Sequence, residues 1–172
     1  RRGGAPRGQG GRHRRSGWRR SDTSREVKDV LAYLRLLQDP YDEVSLIRVI
    51  NVPTRGIGKR TVDDLVAWAR SLDLPAYTAL QLLADDAVDT GPFNQRQSRQ
   101  LTDFLKLVDG LRDEMAEMEL TALIDEVLER TGYRRSLLDS SDPDAEDRLD
   151  NLREFRGVSA DYEGLPAAES LQ

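Results

Sequence analysis

Asn51-Val52-Pro53-Thr54-Arg55-Gly56-Ile57-Gly58-Lys59-Arg60-Thr61 is the stretch from which the rest of this chain can be read. Ahead of it stands Val44-Ser45-Leu46-Ile47-Arg48-Val49-Ile50, and after it Val62, Leu65, Val66, Ala69 and Leu72 recur at the spacing of one helix face. The stretch is therefore expected to be a turn between two helices. Gly56 and Gly58 are free to take positive φ and to admit the close approach of another backbone. Lys59, Arg60 and Thr61 open the second helix, where N–H groups without intrahelical partners and the positive end of the dipole favour an anion. Ile57, between the two glycines, is expected to plug into the apolar seam of the helix pair.

A helix-hairpin-helix uses this arrangement to hold DNA backbone by amides and cations while reading no base. A Gly-X-Gly between helices also suits a plain tight connection in which glycine ends the first helix. What favours the phosphate grip is the cluster of Arg55, Lys59 and Arg60 in a body that is otherwise acidic.

The chain has 172 residues, 38% of them apolar, enough for one sizeable core or two small ones. No run approaches the roughly 20 apolar residues of a spanning helix, and residues 1–20 show no secretory pattern, so no membrane partner and a cytoplasmic location are expected. There is no cysteine, which rules out disulfides and thiolate metal sites. The net charge of −5 hides an uneven distribution. Residues 1–20 hold eight Arg, six Gly and no acid, leaving 18 basic against 31 acidic side chains in the remainder. Such a body repels DNA except where cations are concentrated, so binding at residues 55–60 should be weak and salt-dependent.

Residues 1–23 lack apolar periodicity and read as a disordered Arg/Gly tail with a solvated His13. From Ser24 the pattern turns helical, with Val27, Val30, Leu31, Leu34 and Leu37 on one face up to Asp39-Pro40. Further helices are expected at about 42–50, 60–72 and 75–84, followed by a loop over 85–92. A long helix then carries Leu101, Phe104, Leu105, Val108, Leu111, Met115 and Met118. Another carries Leu120, Leu123, Ile124, Val127 and Leu128, with Gly132 as the residue that ends it. After a break at Ser140-Ser141-Asp142-Pro143, the residues Leu149, Leu152, Phe155, Val158 and Tyr162 mark a last helix within a unit of residues 24–163, and 164–172 is a frayed end. No segment alternates at period two, so the fold is expected to be all-α.

Catalytic chemistry finds no home in this pattern. Asp142, Asp144 and Glu146 lack the glycine and glutamate of a calcium loop, and the pairs Asp63-Asp64 and Asp85-Asp86 diverge around a helix rather than converging. There is no Gly-rich loop followed by Lys-Ser/Thr, no serine elbow and a single histidine. No catalytic residue, metal ligand or cofactor is assigned to this chain.

Three stretches together carry a resemblance. Arg25-Glu26-Val27-Lys28-Asp29-Val30-Leu31-Ala32-Tyr33-Leu34-Arg35-Leu36, then Asn51-Val52-Pro53-Thr54-Arg55-Gly56-Ile57-Gly58, then Thr131-Gly132-Tyr133 with Asp147-Arg148-Leu149-Asp150-Asn151-Leu152-Arg153-Glu154 resemble the superfamily 1A DNA helicases of the UvrD/PcrA/Rep type, in order and spacing. The resemblance implies that the chain is mainly the helical 2B subdomain of such an enzyme. In that family ATP, with Mg2+, drives 3′ to 5′ movement along DNA, and 2B holds or regulates the duplex ahead. It implies that Arg55, Gly56, Ile57, Gly58, Lys59, Arg60 and Thr61 touch duplex DNA without sequence preference. Arg25, Glu26, Lys28 and Asp29 correspond to the helix that couples 2B to the remaining helicase domains. It implies a repair-type helicase context, while the nucleotide-binding motifs are missing here, so the chain alone is expected to be inactive as an ATPase. A free-standing DNA-binding or protein-docking module, and a non-functional remnant, remain as alternatives.

The family also places a Val-Val-Gly-Gly strand where this chain has His13-Arg14-Arg15-Ser16-Gly17-Trp18-Arg19. Codons for that peptide, shifted by one nucleotide, read Ile-Val-Val-Val-Gly-Gly-Val. Residues 1–23 are therefore expected to be an out-of-frame stretch upstream of a frameshift near Thr23.

Overall fold

A computed structural model of the chain describes residues 24–85 and 91–162. The Arg/Gly tail, His13, most of the 85–92 loop and the frayed end all fall outside the described residues. The described elements are α1 (Arg25–Gln38), α2 (Glu43–Val49), α3 (Lys59–Ser71), α4 (Ala76–Ala84), α5 (Gln95–Met115), α6 (Leu120–Arg130), α7 (Tyr133–Leu138) and α8 (Ala145–Ser159), closed by a 3-10 turn at Ala160–Tyr162. Among the described residues there is no strand, and the fold is all-α as expected.

Helix α1 is the post around which the rest is assembled. Its pattern promises one apolar face, yet Val27, Val30, Ala32, Tyr33, Leu34, Leu36 and Leu37 are all buried, and only Leu31 is partly so. A helix apolar nearly all round is one that is surrounded, and α1 packs against α2, α5, α6 and α8. On one side α2, α3, α4 and the start of α5 enclose the turn; on the other α6, α7 and α8 pack on one another. A single apolar cluster runs through both sides, and it includes Leu101, Phe104, Leu105, Val108, Leu111 and Met115 of α5 and Leu120, Leu123, Ile124, Val127 and Leu128 of α6.

Local chemistry sets the helix starts. Asp42 stands at the N-cap of α2, accepting from Ser45 N at 3.1 Å and from Ser45 Oγ at 2.6 Å, which holds its carboxyl below the usual range. At α5, Asn94 and Gln97 form a capping box, with Gln97 N donating to Asn94 Oδ1 at 2.8 Å and Asn94 N to Gln97 Oε1 at 3.0 Å. Pro75 takes the N-cap position of α4 with extended backbone rather than a place in the first turn. Gly132, at φ +77, ends α6 as expected but also starts α7. That short helix escaped sequence reading because two buried residues, Tyr133 and Leu137, are too few to set up a period.

Candidate nucleic-acid interface

The turn between α2 and α3 is organised by a side chain at its first residue. Asn51 Oδ1 accepts from Arg55 N at 2.8 Å and from Ile57 N at 3.1 Å, tying the loop into a closed form. Gly56 takes φ +81, and a Cβ there would stand 2.3 Å from Gln100 Nε2. Ile57 is 1% exposed and plugs into the core, as expected. Gly58 differs from Gly56: its backbone is extended, at φ −72 and ψ 167, and a Cβ there would meet nothing within 4 Å. Positive φ is thus realised at Gly56 alone, and nothing inside the chain demands a glycine at 58.

Arg55, which the resemblance sets among the duplex-contacting residues, is turned inward and half-buried. Its guanidinium donates to the carbonyls of Val49 and Ile50, each at 2.8 Å, to Val52 O at 3.3 Å and to Tyr33 Oη at 2.7 Å, and it lies 5.2 Å above the Phe104 ring. The physical reason is the C-terminal end of α2, whose carbonyls lack intrahelical partners and whose negative dipole end attracts a cation. The Tyr33 hydroxyl in turn donates to Val52 O, and burial pushes its ionisation above the ordinary value. Thr61 is also turned in: it is buried, and its Oγ1 accepts from Gln97 Nε2 at 3.3 Å.

Gly58, Lys59 and Arg60 remain on the outside. No side chain caps α3 at Gly58, in contrast to the capped starts of α2 and α5. Lys59 is 89% exposed at its side chain and shares a 2.7 Å ion pair with Asp63, whose hydrogen bond holds the ammonium's pKa up. Arg60 is exposed and makes no ion pair among the described residues.

Sequence reading missed the cradle beneath this turn. It is the inner face of α5, where Gln97 meets Thr61, Gln100 meets Gly56 and Phe104 meets Arg55. The only sequence signal was position: 97, 100 and 104 share the face of Leu101 and Val108.

The second expected group, Arg25, Glu26, Lys28 and Asp29, splits in two. Glu26 and Asp29 are each 3% exposed, while Arg25 and Lys28 face solvent. A buried carboxylate needs partners, and both find them within this unit. Asp29 accepts from Tyr133 Oη at 2.7 Å and from Arg48 Nε at 3.1 Å; Glu26 accepts from Asn151 Nδ2 at 2.7 Å and pairs at longer reach, 3.5 Å, with Arg148 Nε. Burial, and then the bond to Asp29, push the Tyr133 hydroxyl well above its ordinary pKa. These contacts draw the first and third stretches of the resemblance together at the foot of α1, with Arg48 of α2 beside them, so Glu26 and Asp29 are tied to α2, α7 and α8.

Fold and site together define a helical unit in which the start of α3 faces outward, lacks a side-chain cap and bears two exposed cations. Against known families, residues 23–171 match the UvrD-like helicase C-terminal domain, and the chain belongs to that family. Among curated proteins it is 38% identical over 138 residues to the ATP-dependent DNA helicase UvrD1 of Mycobacterium tuberculosis, covering 80% of this chain and 18% of that one. It is 40% identical over 139 residues to UvrD1 of Mycobacterium leprae, and 32% identical over 139 residues to the ATP-dependent DNA helicase PcrA of Bacillus subtilis; both matches cover 81% of this chain and 18% of the relative. The chain thus spans about a fifth of the length of these relatives. Among its described residues no helix is long and apolar enough to cross a membrane.

Proposed function

We propose that this chain is the 2B part of an ATP-dependent DNA helicase and that the α2–α3 turn holds duplex DNA by its backbone. The observation that carries this reading is the uncapped start of α3 at Gly58, with Lys59 and Arg60 exposed beside it in an acidic body. Unpaired N–H groups and a positive dipole end attract a phosphate oxygen, and two cations add counterion release. The absence of a Cβ at Gly58 leaves room for a sugar–phosphate chain to reach those amides. Arg55 and Thr61 act from within: one ties the turn to the end of α2, the other to α5. None of these groups reads a base, so the grip is indifferent to sequence.

ATP hydrolysis belongs, on this reading, to parts of a longer helicase that supply a phosphate cradle and a Mg2+ site. The test is duplex binding by the full chain and its Lys59→Glu/Arg60→Glu variant, with circular dichroism as the check on folding. Binding should fall by roughly tenfold or more, with the salt slope reduced by about 0.9 for each phosphate no longer neutralised. Equal affinity in a folded double variant would sink the proposal.

A further inference from the structure

Three contacts fix how α5 lies beneath the turn. The Trp68 and Phe93 rings meet edge-on at 5.8 Å, Gln97 Nε2 reaches Thr61 Oγ1 at 3.3 Å, and Gln100 lies against Gly56. Numbers fall from 68 to 56 on one side of this seam as they rise from 93 to 100 on the other, so α3 and the start of α5 run in opposite directions. In an antiparallel pair, the residue one position before each member of a contact falls on the same flank of the seam, because the helices turn in mirrored senses about their line of contact. Arg60 precedes Thr61 and Arg96 precedes Gln97, so the two arginines converge on one flank. Arg96 stands one turn before Gln100, on the side of α5 that meets the Gly56 turn, and Arg99 is the next cation along that helix.

All three arginines are exposed, and none makes an ion pair among the described residues. Exposed Arg25, Lys28, Arg35, Arg70 and Lys106 are likewise without an ion pair among the described residues, so it is the placement of these three beside the turn that sets them apart. Asp64, a turn beyond Arg60, and Asp103, two turns beyond Arg96, bound the patch at its two ends, the first toward Trp68 and the second past the Gly-Ile-Gly turn. The capping box at Asn94 occupies the start of α5, so this helix offers guanidinium groups rather than open amides.

We propose that Arg96 and Arg99, with Arg60, form a second cationic arm that takes phosphodiester groups of duplex DNA next to those held at the start of α3. This rests on the reading of the α2–α3 turn as a duplex grip, and it makes the interface a surface of two helices. Two arms some residues apart on a rigid scaffold would follow a duplex backbone over successive phosphates, which one loop cannot do.

The experiment uses the full chain and a short fluorescein-labelled duplex of mixed sequence, titrated at several salt concentrations. Parent, Arg96→Glu/Arg99→Glu, Lys59→Glu/Arg60→Glu and the charge-matched control Arg70→Glu/Lys106→Glu are compared. The α5 variant should bind roughly tenfold more weakly, with a salt slope lower by about 0.9 for each phosphate it no longer neutralises, and the control should stay near the parent. Arg96→Gln/Arg99→Gln, which keeps helix propensity, should lie between. Because the chain has no cysteine, Asp103→Cys can carry an iron–EDTA reagent; backbone cleavage from that position should appear in the parent background and vanish in the α5 variant. Parent-like affinity and cleavage in a folded α5 variant, with weakened binding in the Lys59/Arg60 variant, would overturn the arm and leave the turn standing. Loss in the α5 variant without loss in the Lys59/Arg60 variant would overturn the turn and Arg60's share in the arm, leaving Arg96 and Arg99 as the grip. A control as weak as the α5 variant would reduce the effect to overall charge and overturn the arm.

Discussion

The foot of α1 and the mouth of the α2–α3 turn both gather charged side chains, and they are built in opposite ways. At the foot, Glu26 and Asp29 are buried and bonded to Arg48, Tyr133, Arg148 and Asn151. At the mouth, Lys59 and Arg60 stand in water, one paired only to a neighbouring acid and the other to none among the described residues. Removing a partner from the first set strands a buried charge or hydroxyl, which costs a few kcal/mol; removing one from the second costs the fold little. Burial therefore separates charges that hold the unit together from charges left over for a partner, and Arg55 shows that the boundary can pass through a single turn.

Arg55→Ala should have the largest effect on stability, about 3 kcal/mol, because three carbonyls and the Tyr33 hydroxyl lose their shared donor. Urea unfolding followed by circular dichroism measures it. A loss under about 1 kcal/mol would place Arg55 with the exposed cations after all.

Asp29→Ala comes next, at about 2 kcal/mol. The Tyr133 hydroxyl loses its acceptor, whereas Arg48, 39% exposed at its side chain, can swing out to water. A variant as stable as the parent would mean that the foot of α1 is not held by this network.

The two glycines sharpen the contrast within the turn. Gly56→Ala should cost about 1–2 kcal/mol, since φ is positive and Gln100 stands in the way. Gly58→Ala should change stability by less than about 0.5 kcal/mol, as a weaker cap is offset by a less flexible unfolded chain, yet duplex affinity should drop. Finding the stability loss at 58 instead of 56 would invert the assignment of inner and outer glycine.

The smallest effect is on the alkaline side. Tyr33 and Tyr133 have pKa values raised by burial, so the stability they contribute is complete below about pH 10, their unfolded value, and is lost as pH rises through their folded values. Tyrosinate absorbance in the folded chain should show Tyr33 and Tyr133 titrating late, together with Tyr77, whose hydroxyl is raised by burial and its bond to Asp109. Uniform titration at about pH 10 without unfolding would contradict the buried bonds of both hydroxyls.

The periodicity of Leu101 to Met115 and of Leu120 to Leu128, the turn at Gly56, the plug at Ile57 and the break at Gly132 were all determined by the sequence alone, because local spacing and backbone permissiveness are properties of neighbouring residues. The resemblance to UvrD-type helicases was legible for the same reason, in short runs of consecutive residues. Only the tertiary structure decided that α1 is enclosed on nearly every side, that Arg55 and Thr61 point inward while Lys59 and Arg60 point out, and that Gln97, Gln100 and Phe104 of α5 form the cradle. Each of these depends on contacts between residues about 20 to 120 positions apart. A charged residue carries the same letter whether it will be desolvated by a distant helix or left in water, and only the packed chain supplies the partner that determines which.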